Sequence, residues 1–458
     1  MNARPEPWYR ELNRYHWFVL IVAALGWLFD TMDQQLFTLA RRPAMLELVG
    51  RPTSDGEVLS EEEKAANLAR VNEFAGYATS IFLIGWASGG LFFGVLGDRI
   101  GRAKTMIWTI LIYSLFTGLS ALSVGFWDFA LYRFLTGLGV GGEFAVGVSL
   151  VAEVMPDRAR PFALGLLQAL SAIGNVSAAV ISMGLGALAR AGTIDSAWRV
   201  MFVVGTVPAL LALLIRRRLK EPERWQAVAA HEKPAQLGSY AELFGDPRWR
   251  KNAIVGVLLA FAGVVGLWGI GFFSYDLISS VLRRRFEAEG MSKPDVEASL
   301  AFWIGITSIV QNVGGFFGIY AFSRVTHYTG RKPAFAVSFV LAMLSTAMVF
   351  WFLEDFSQIF WMVPIMGFCQ LALFGGYAIY FPELFPTRLR STGTSFCYNV
   401  GRFVAALGPS ALGLMTAYVY RGYDEPMRYA GVTMCGIFLL GLAVLPFAPE
   451  TKGQPLPE

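Results

Sequence analysis

The chain has little of what a soluble enzyme uses. It holds three histidines and three cysteines in 458 residues, and 16% of its residues are charged. Cys369, Cys397 and Cys435 each fall in an apolar run, so they make neither a zinc-ligand spacing nor a disulfide framework and read as small core residues. No Gly-x4-Gly-Lys-Ser/Thr stretch is present, which excludes an ATP-driven pump within this chain. No nucleophile–base pair stands out either, so neither an enzyme nor a bound cofactor or metal is expected. The net charge of +4 comes from basic residues spread over short loops and not from one stripe, which argues against a nucleic-acid partner.

What is abundant is hydrocarbon. With 55% hydrophobic residues, 14% aromatics and a mean hydropathy of +0.49, the chain is too apolar for a soluble protein of this length. Apolar runs of about 20 residues, enough to cross a bilayer core, recur near 17–40, 74–97, 104–124, 127–153, 162–188, 198–217, 251–278, 300–323, 333–353, 358–382, 391–418 and 427–447. The expected fold is an all-α integral membrane protein of about twelve transmembrane helices. The first run is too long for a cleavable signal peptide and should remain as a span. With the N-terminus inside, inner segments hold about 23 Lys and Arg and outer ones about 13, so both termini are expected in the cytoplasm. Arg41-Arg42 and Arg283-Arg284-Arg285 are local exceptions, and the outer loop at 41–73 carries no assigned chemistry.

The halves repeat. Glu153-Val-Met-Pro156-Asp-Arg158-Ala-Arg160 returns as Glu383-Leu-Phe-Pro386-Thr-Arg388-Leu-Arg390, and Gly101-Arg102 returns as Gly330-Arg331, each about 230 residues on. The Pro-rich, basic segment between them divides the chain into a six-helix bundle at 1–215, a linker at 216–250 and a second six-helix bundle at 251–458. Two parallel repeats imply bundles flanking a central path, rocking about a site near the midplane. The symmetry breaks where charge is buried. Asp30 and Asp33 correspond in the repeat to Ala260 and Gly263 of the other half, and Arg402 corresponds to Ala172.

An ionisable group within a span costs roughly 2.5–3.5 kcal/mol even on lenient scales and normally marks a transport path. Asp30 and Asp33, spaced i, i+3, share one helix face, and two like charges there cannot both ionise cheaply; they are the first candidates for proton coupling. Arg133 and Glu143 are the other buried charges and join the candidates for proton coupling, though they are too far apart along their helix, roughly 15 Å, to pair with each other. Arg402 offers a permanently charged fork that matches a carboxylate. Its alternative role is a standing ion pair with Asp30 or Asp33. Among Gln34, Gln35, Gln168, Asn175, Gln311, Asn312 and Gln370, with Tyr377, Trp268, Tyr398 and Asn399, some should line the cavity and the rest hold helices together.

Four stretches resemble the major facilitator superfamily, near its sugar-porter, organic-ion and aromatic-acid:proton symporter branches: Gly94-Val-Leu-Gly97-Asp98-Arg99-Ile-Gly101-Arg102-Ala-Lys104, Arg133-Phe-Leu-Thr-Gly137-Leu-Gly139-Val-Gly141-Gly142-Glu143, Pro382-Glu383-Leu-Phe-Pro386-Thr-Arg388-Leu-Arg390-Ser-Thr-Gly393 and Pro449-Glu450-Thr451-Lys452-Gly453. The resemblance implies the major facilitator fold and alternating access. It implies a cytoplasmic gate of ion pairs from Asp98, Arg99, Arg102, Glu153, Arg160, Arg331, Glu383 and Arg390, a role in proton transfer for Arg133, and contact of Arg402 with a substrate charge. His327 stands where the second half should have an acid, which weakens a symmetric gate. Sugar porters carry amides in the seventh span; here Gly263 to Ile278 offers Trp268, Ser274, Tyr275 and Asp276 instead, against a simple hexose. The expected function is import of a small organic anion (monocarboxylate, aromatic acid or acidic sugar) by proton symport across the cell (inner) membrane, the chain acting as a monomer in the lipid bilayer. A neutral sugar or polyol is the alternative substrate.

Overall fold

The computed structural model describes residues 7–50, 60–233, 236–405 and 415–458. No strand occurs among them. The helices are α1 Arg14–Leu48, α2 Glu61–Ile100, α3 Arg102–Ser120, α4 Phe126–Val154, α5 Arg160–Ala169, α6 Ser171–Arg190, α7 Ala197–Val204, α8 Ala209–Arg218, α9 Glu223–His231, α10 Tyr240–Gly245, α11 Pro247–Val264, α12 Ser274–Ala288, α13 Lys293–Thr329, α14 Arg331–Phe352, α15 Phe356–Tyr380, α16 Arg390–Ala405, α17 Pro426–Met434 and α18 Ile437–Val444. Nine stretches among the described residues are long and apolar enough to span a membrane by themselves. The other three spans are α3, the pair α7 and α8 interrupted before Pro208, and α16, which runs toward residues 406–414 outside the described set.

Local sequence explains the ends. Asn13 accepts from the backbone N–H of His16 at the start of α1, and Ser60 accepts from that of Glu63 at the start of α2; each replaces a helical bond the first turn lacks. Small residues set the packing. A Cβ on Gly141 of α4 would stand 1.9 Å from the Trp86 carbonyl oxygen of α2, so these helices touch backbone to backbone, as glycine permits in a bilayer.

The repeat continues into a feature the sequence reading did not use. Gly101 and Gly330, with φ of +111° and +104°, turn α2 into α3 and α13 into α14. At the first turn Glu221 accepts from the N–H groups of Ala103 and Lys104, both at 3.1 Å. At the second, Glu450 accepts from Arg331 and Lys332 at 2.9 and 3.0 Å. A glutamate that follows the last span of each half therefore caps that half's third span, favoured by the positive end of the helix dipole. Burial alone would raise the Glu450 carboxyl, but these N–H groups, that of Lys452 and the charge of Arg331 hold it below its ordinary value.

The two halves touch along two seams toward the end that carries both termini. In one, α2 lies on α16, with Gly90 against Asn399, Gly94 against Ser395 and Gly97 against Ser391; in the other, α5 lies on α13, with Gly165 against Ser323. The linker is threaded beneath the first seam. Trp225 Nε1 donates to the Asp98 carbonyl at 2.8 Å, the Gly238 N–H to the Arg388 carbonyl at 2.9 Å, and the Tyr240 hydroxyl to the Leu91 carbonyl at 2.9 Å.

Candidate functional site: a central cavity between two layers of buried charge

A cavity of about 430 Å³ lies between the halves, walled by Trp27, Thr31, Gln34, Gln35, Trp86, Gln168, Asn175, Tyr275, Gln311, Asn312, Phe374, Tyr398 and Arg402 among others. Of the amides and aromatics singled out from sequence, Gln34, Gln35, Gln168, Asn175, Gln311, Asn312 and Tyr398 are on this wall. Gln370, Tyr377 and Asn399 are not. Gln370 donates to the Thr346 hydroxyl at 2.7 Å, and Tyr377 to the Leu259 carbonyl at 2.6 Å while stacking on Phe381 at 5.0 Å. Both serve packing in the second half. Asn399 accepts from Arg402 Nη1 at 2.7 Å and acts through that arginine. The Trp268 side chain lies outside those described.

Arg402 is 6% exposed. Its guanidinium lies 3.9 Å from the ring centre of Trp86, from the other half, and 4.2 Å from that of Tyr398. Aromatic faces hold the cation in place while leaving the donating edge of its plane for a ligand. No carboxylate lies within 4 Å of it among the described residues, so the standing ion pair with Asp30 or Asp33 is not formed.

Those aspartates lie behind the wall, and despite sharing a face they take different partners. Asp33 accepts from the Thr117 hydroxyl at 2.8 Å and stands 3.8 Å from Arg133. Arg133 donates to the Ser120 hydroxyl at 2.8 and 3.0 Å, and its face lies 4.5 Å from the centre of Phe202. Asp30 is fully buried, with only a long 3.4 Å contact from Gln34, and its Oδ1 has no partner. Glu143 lies against Gly26, one turn before Asp30; Oε2 is 2.6 Å from the Thr109 hydroxyl and Oε1 has no partner. Of these three acids Asp33 has a cation within 4 Å among the described residues, Asp30 feels the charge of Arg402 only at longer range, and Gln34 is the link between Asp30 and the cavity. Sequence reasoning missed Trp86, Thr109, Thr117 and Ser120, because aromatic and hydroxyl residues recur in every span and nothing local marks the ones that meet a charge.

Toward the termini the cavity ends in ion pairs. Arg102 bonds Glu153 at 2.7 and 3.2 Å and Asp98 at 2.8 Å, all within the first half, and Arg331 bonds Glu383 at 2.7 and 3.0 Å within the second. Links also cross between halves: Arg390 to Glu153 at 2.7 Å, Arg102 to the Thr387 carbonyl at 2.8 Å, and the Asp98 carboxylate, which accepts from the backbone N–H groups of Ser391 and Thr392 at 3.1 and 2.8 Å and from the Thr392 hydroxyl at 2.6 Å.

The counterparts of those crossings are missing from the other seam. Arg160 pairs with neighbouring Asp157 and donates to the Ala152 carbonyl, while Glu383 turns to Thr451 at 2.6 Å. His327 replaces the acid, and the positions matching Ser391 and Thr392 are Pro161, which has no N–H, and Phe162. The ring of Phe162 lies 4.9 Å from that of His327, so acid and donors have been exchanged together for an aromatic contact. Arg99 is exposed and donates to the Leu237 carbonyl of the linker at 3.1 Å, making no ion pair among the described residues.

An all-helical membrane chain with a polar, charged cavity between two repeated halves defines a multi-pass transporter and not an enzyme. Its family is the major facilitator superfamily, whose model matches residues 65–409, and the chain belongs to it. The chain is 29% identical to the cis,cis-muconate transport protein of Acinetobacter baylyi over 81% of this chain and 85% of that one. It is 26% identical to the sialic acid transporter NanX of Escherichia coli over 95% of each. Among solved structures it is similar in fold to the proton:xylose symporter XylE bound to 6-bromo-6-deoxy-D-glucose (TM-score 0.69, 18% identity, 96% and 98% covered) and to the human organic anion transporter MFSD10 (TM-score 0.65, 15% identity, 94% and 100% covered).

Proposed function

We propose that this transporter imports a small organic anion together with protons across the inner membrane of a bacterial cell, with its termini in the cytoplasm and residues 1–215 and 251–458 as the two rocking bundles. The observation that carries the reading is Arg402, a buried cation on the cavity wall with no carboxylate within 4 Å among the described residues. A buried charge without a counter-ion is costly, and an incoming carboxylate supplies one along with two parallel hydrogen bonds. Muconate and sialic acid, the substrates named for two relatives, are both acids.

The proton reading rests on the layer behind the wall. Thr109 has one hydroxyl hydrogen, yet its oxygen lies 2.9 Å from the Met106 carbonyl and 2.6 Å from Glu143. If that hydrogen goes to Met106, Glu143 is the donor and carries a proton. Asp30, with no cation within 4 Å among the described residues, fits the same state. Release of these protons after the bundles rock would couple import to the gradient, worth about 2.3 kcal/mol per charge per 100 mV. In this conformation the ion pairs among Asp98, Arg102, Glu153 and Arg390 act as the closed cytoplasmic gate.

The test is uptake into proteoliposomes under an inward proton gradient, with cis,cis-muconate, nicotinate, N-acetylneuraminate and xylose as the panel. Uptake of an acid that is lost in Arg402→Ala is expected; acid uptake surviving that change overturns the carboxylate assignment. The amides Gln34, Gln168, Gln311 and Asn312 on the wall favour one rival, a neutral sugar or polyol. Xylose uptake in both parent and Arg402→Ala would establish it.

A further inference from the structure

At the end of the cavity away from the gate, opposite charges face one another from different bundles. Arg41 lies on α1 eleven residues beyond Asp30, and Asp276 is the third residue of α12; both line the cavity. Arg42, beside Arg41, is exposed and does not line it. Arg41 donates to the Thr79 hydroxyl at 3.0 Å. Neither charge has an opposite partner within 4 Å among the described residues, although each is the charge whose field acts on the other. The backbone leading to Asp276 is broken. Val265–Ile270 is a π-helix and Gly271–Phe273 a 3-10 turn, set between α11 and α12. A π segment interrupts the regular hydrogen-bond ladder and gives the helix a place to bend.

We propose that Arg41 and Asp276 form the ion pair that closes this mouth over the substrate, as Arg390 and Glu153 close the opposite one. The proposal rests on the alternating-access reading above. With the mouth open both groups are hydrated at little cost. When α12 swings in, the pair becomes a contact present in one state only, which is what a gate requires to shift the equilibrium. Arg41 and Asp276 are positioning residues, since they act on the state of the bundles and not on the substrate.

The experiment has two readouts. Uptake of the panel acids is measured for Arg41→Gln, Asp276→Asn and the exchanged pair Arg41→Asp with Asp276→Arg. Each single change should slow uptake about five- to tenfold, the range of a half-buried pair, and the exchange should recover at least half of the parental rate. Separately, Arg41→Cys with Asp276→Cys, in a background with Cys369, Cys397 and Cys435 replaced, is oxidised with copper-phenanthroline. A disulfide needs Cα atoms about 4.4–6.8 Å apart, so it should form with the mouth shut, faster when Glu153→Gln loosens the other gate. Single changes at the parental rate, an exchange no better than either single change, or no cross-link even with Glu153→Gln would each overturn the proposal. Failure of the anion reading is distinguishable: a cross-link forms, but the parent accumulates none of the acids.

Discussion

At the scale of single residues the protein carries charge where charge is expensive, and each case is resolved differently. Arg133 has Asp33, two bonds to Ser120 and an aromatic face. Removing the acid with Asp33→Asn would leave a buried guanidinium uncompensated, at about 3–5 kcal/mol, so a clear drop in melting temperature is expected. A melting temperature equal to the parent's would mean that Ser120 and the rings suffice. Glu143 makes the contrasting prediction. If it carries a proton in this state, Glu143→Gln should fold and bind normally, retain exchange of substrate across the membrane and lose gradient-driven accumulation. Accumulation at the parental level would remove Glu143 from the coupling pathway.

At the scale of elements, the glutamates that follow the last span of each half show how a short loop can fix a helix. Glu450 caps α14, and the carboxylate form does the capping. Glu450→Gln should cost on the order of 0.5–2 kcal/mol at neutral pH, toward the lower end because the group is partly exposed. The sign with pH follows from the lowered carboxyl. Its contribution is fully present above the unfolded value of about 4.3 and is lost as pH falls through the folded one. The difference in melting temperature between parent and variant should therefore hold constant from neutrality to about pH 5 and shrink toward zero at lower pH. A gap that persists in acid would show that shape and not charge is what the cap supplies.

At the scale of the whole molecule the two seams are unequal: one is closed by ions, the other by rings. Glu153 joins Arg102 and Arg390 from opposite halves, so it is the residue whose loss should most favour the state open toward the termini. Ser395 is fully buried, its hydroxyl directed at the Gly90 carbonyl. A Ser395→Cys reporter should react several-fold faster with a soluble maleimide once Glu153→Gln is added. The same addition to a reporter at Ser323, on the aromatic seam beside Gly165, should report the same opening if the bundles rock as rigid bodies. Acceleration at one seam alone would mean that the bundles bend.

The all-helical membrane fold, the doubled architecture and the positions of Asp30, Asp33, Arg133, Glu143 and Arg402 were determined by the sequence alone, because hydrocarbon length, repeats and buried charge are each written locally. The pairings were decided by tertiary structure. Asp30 and Asp33 sit one helical turn apart, yet only Asp33 meets a cation; the deciding groups come from α3 and α4, at a distance in sequence that no periodicity encodes. Arg402 is held by Trp86 across the two halves, and Asn399, on its own helix, only steadies it. The same holds for Arg160: its sequence position matches Arg390, but Arg390 can reach Glu153 while Arg160 is taken by Asp157. A repeat specifies which residues correspond, and the packing of the bundles specifies which of them touch.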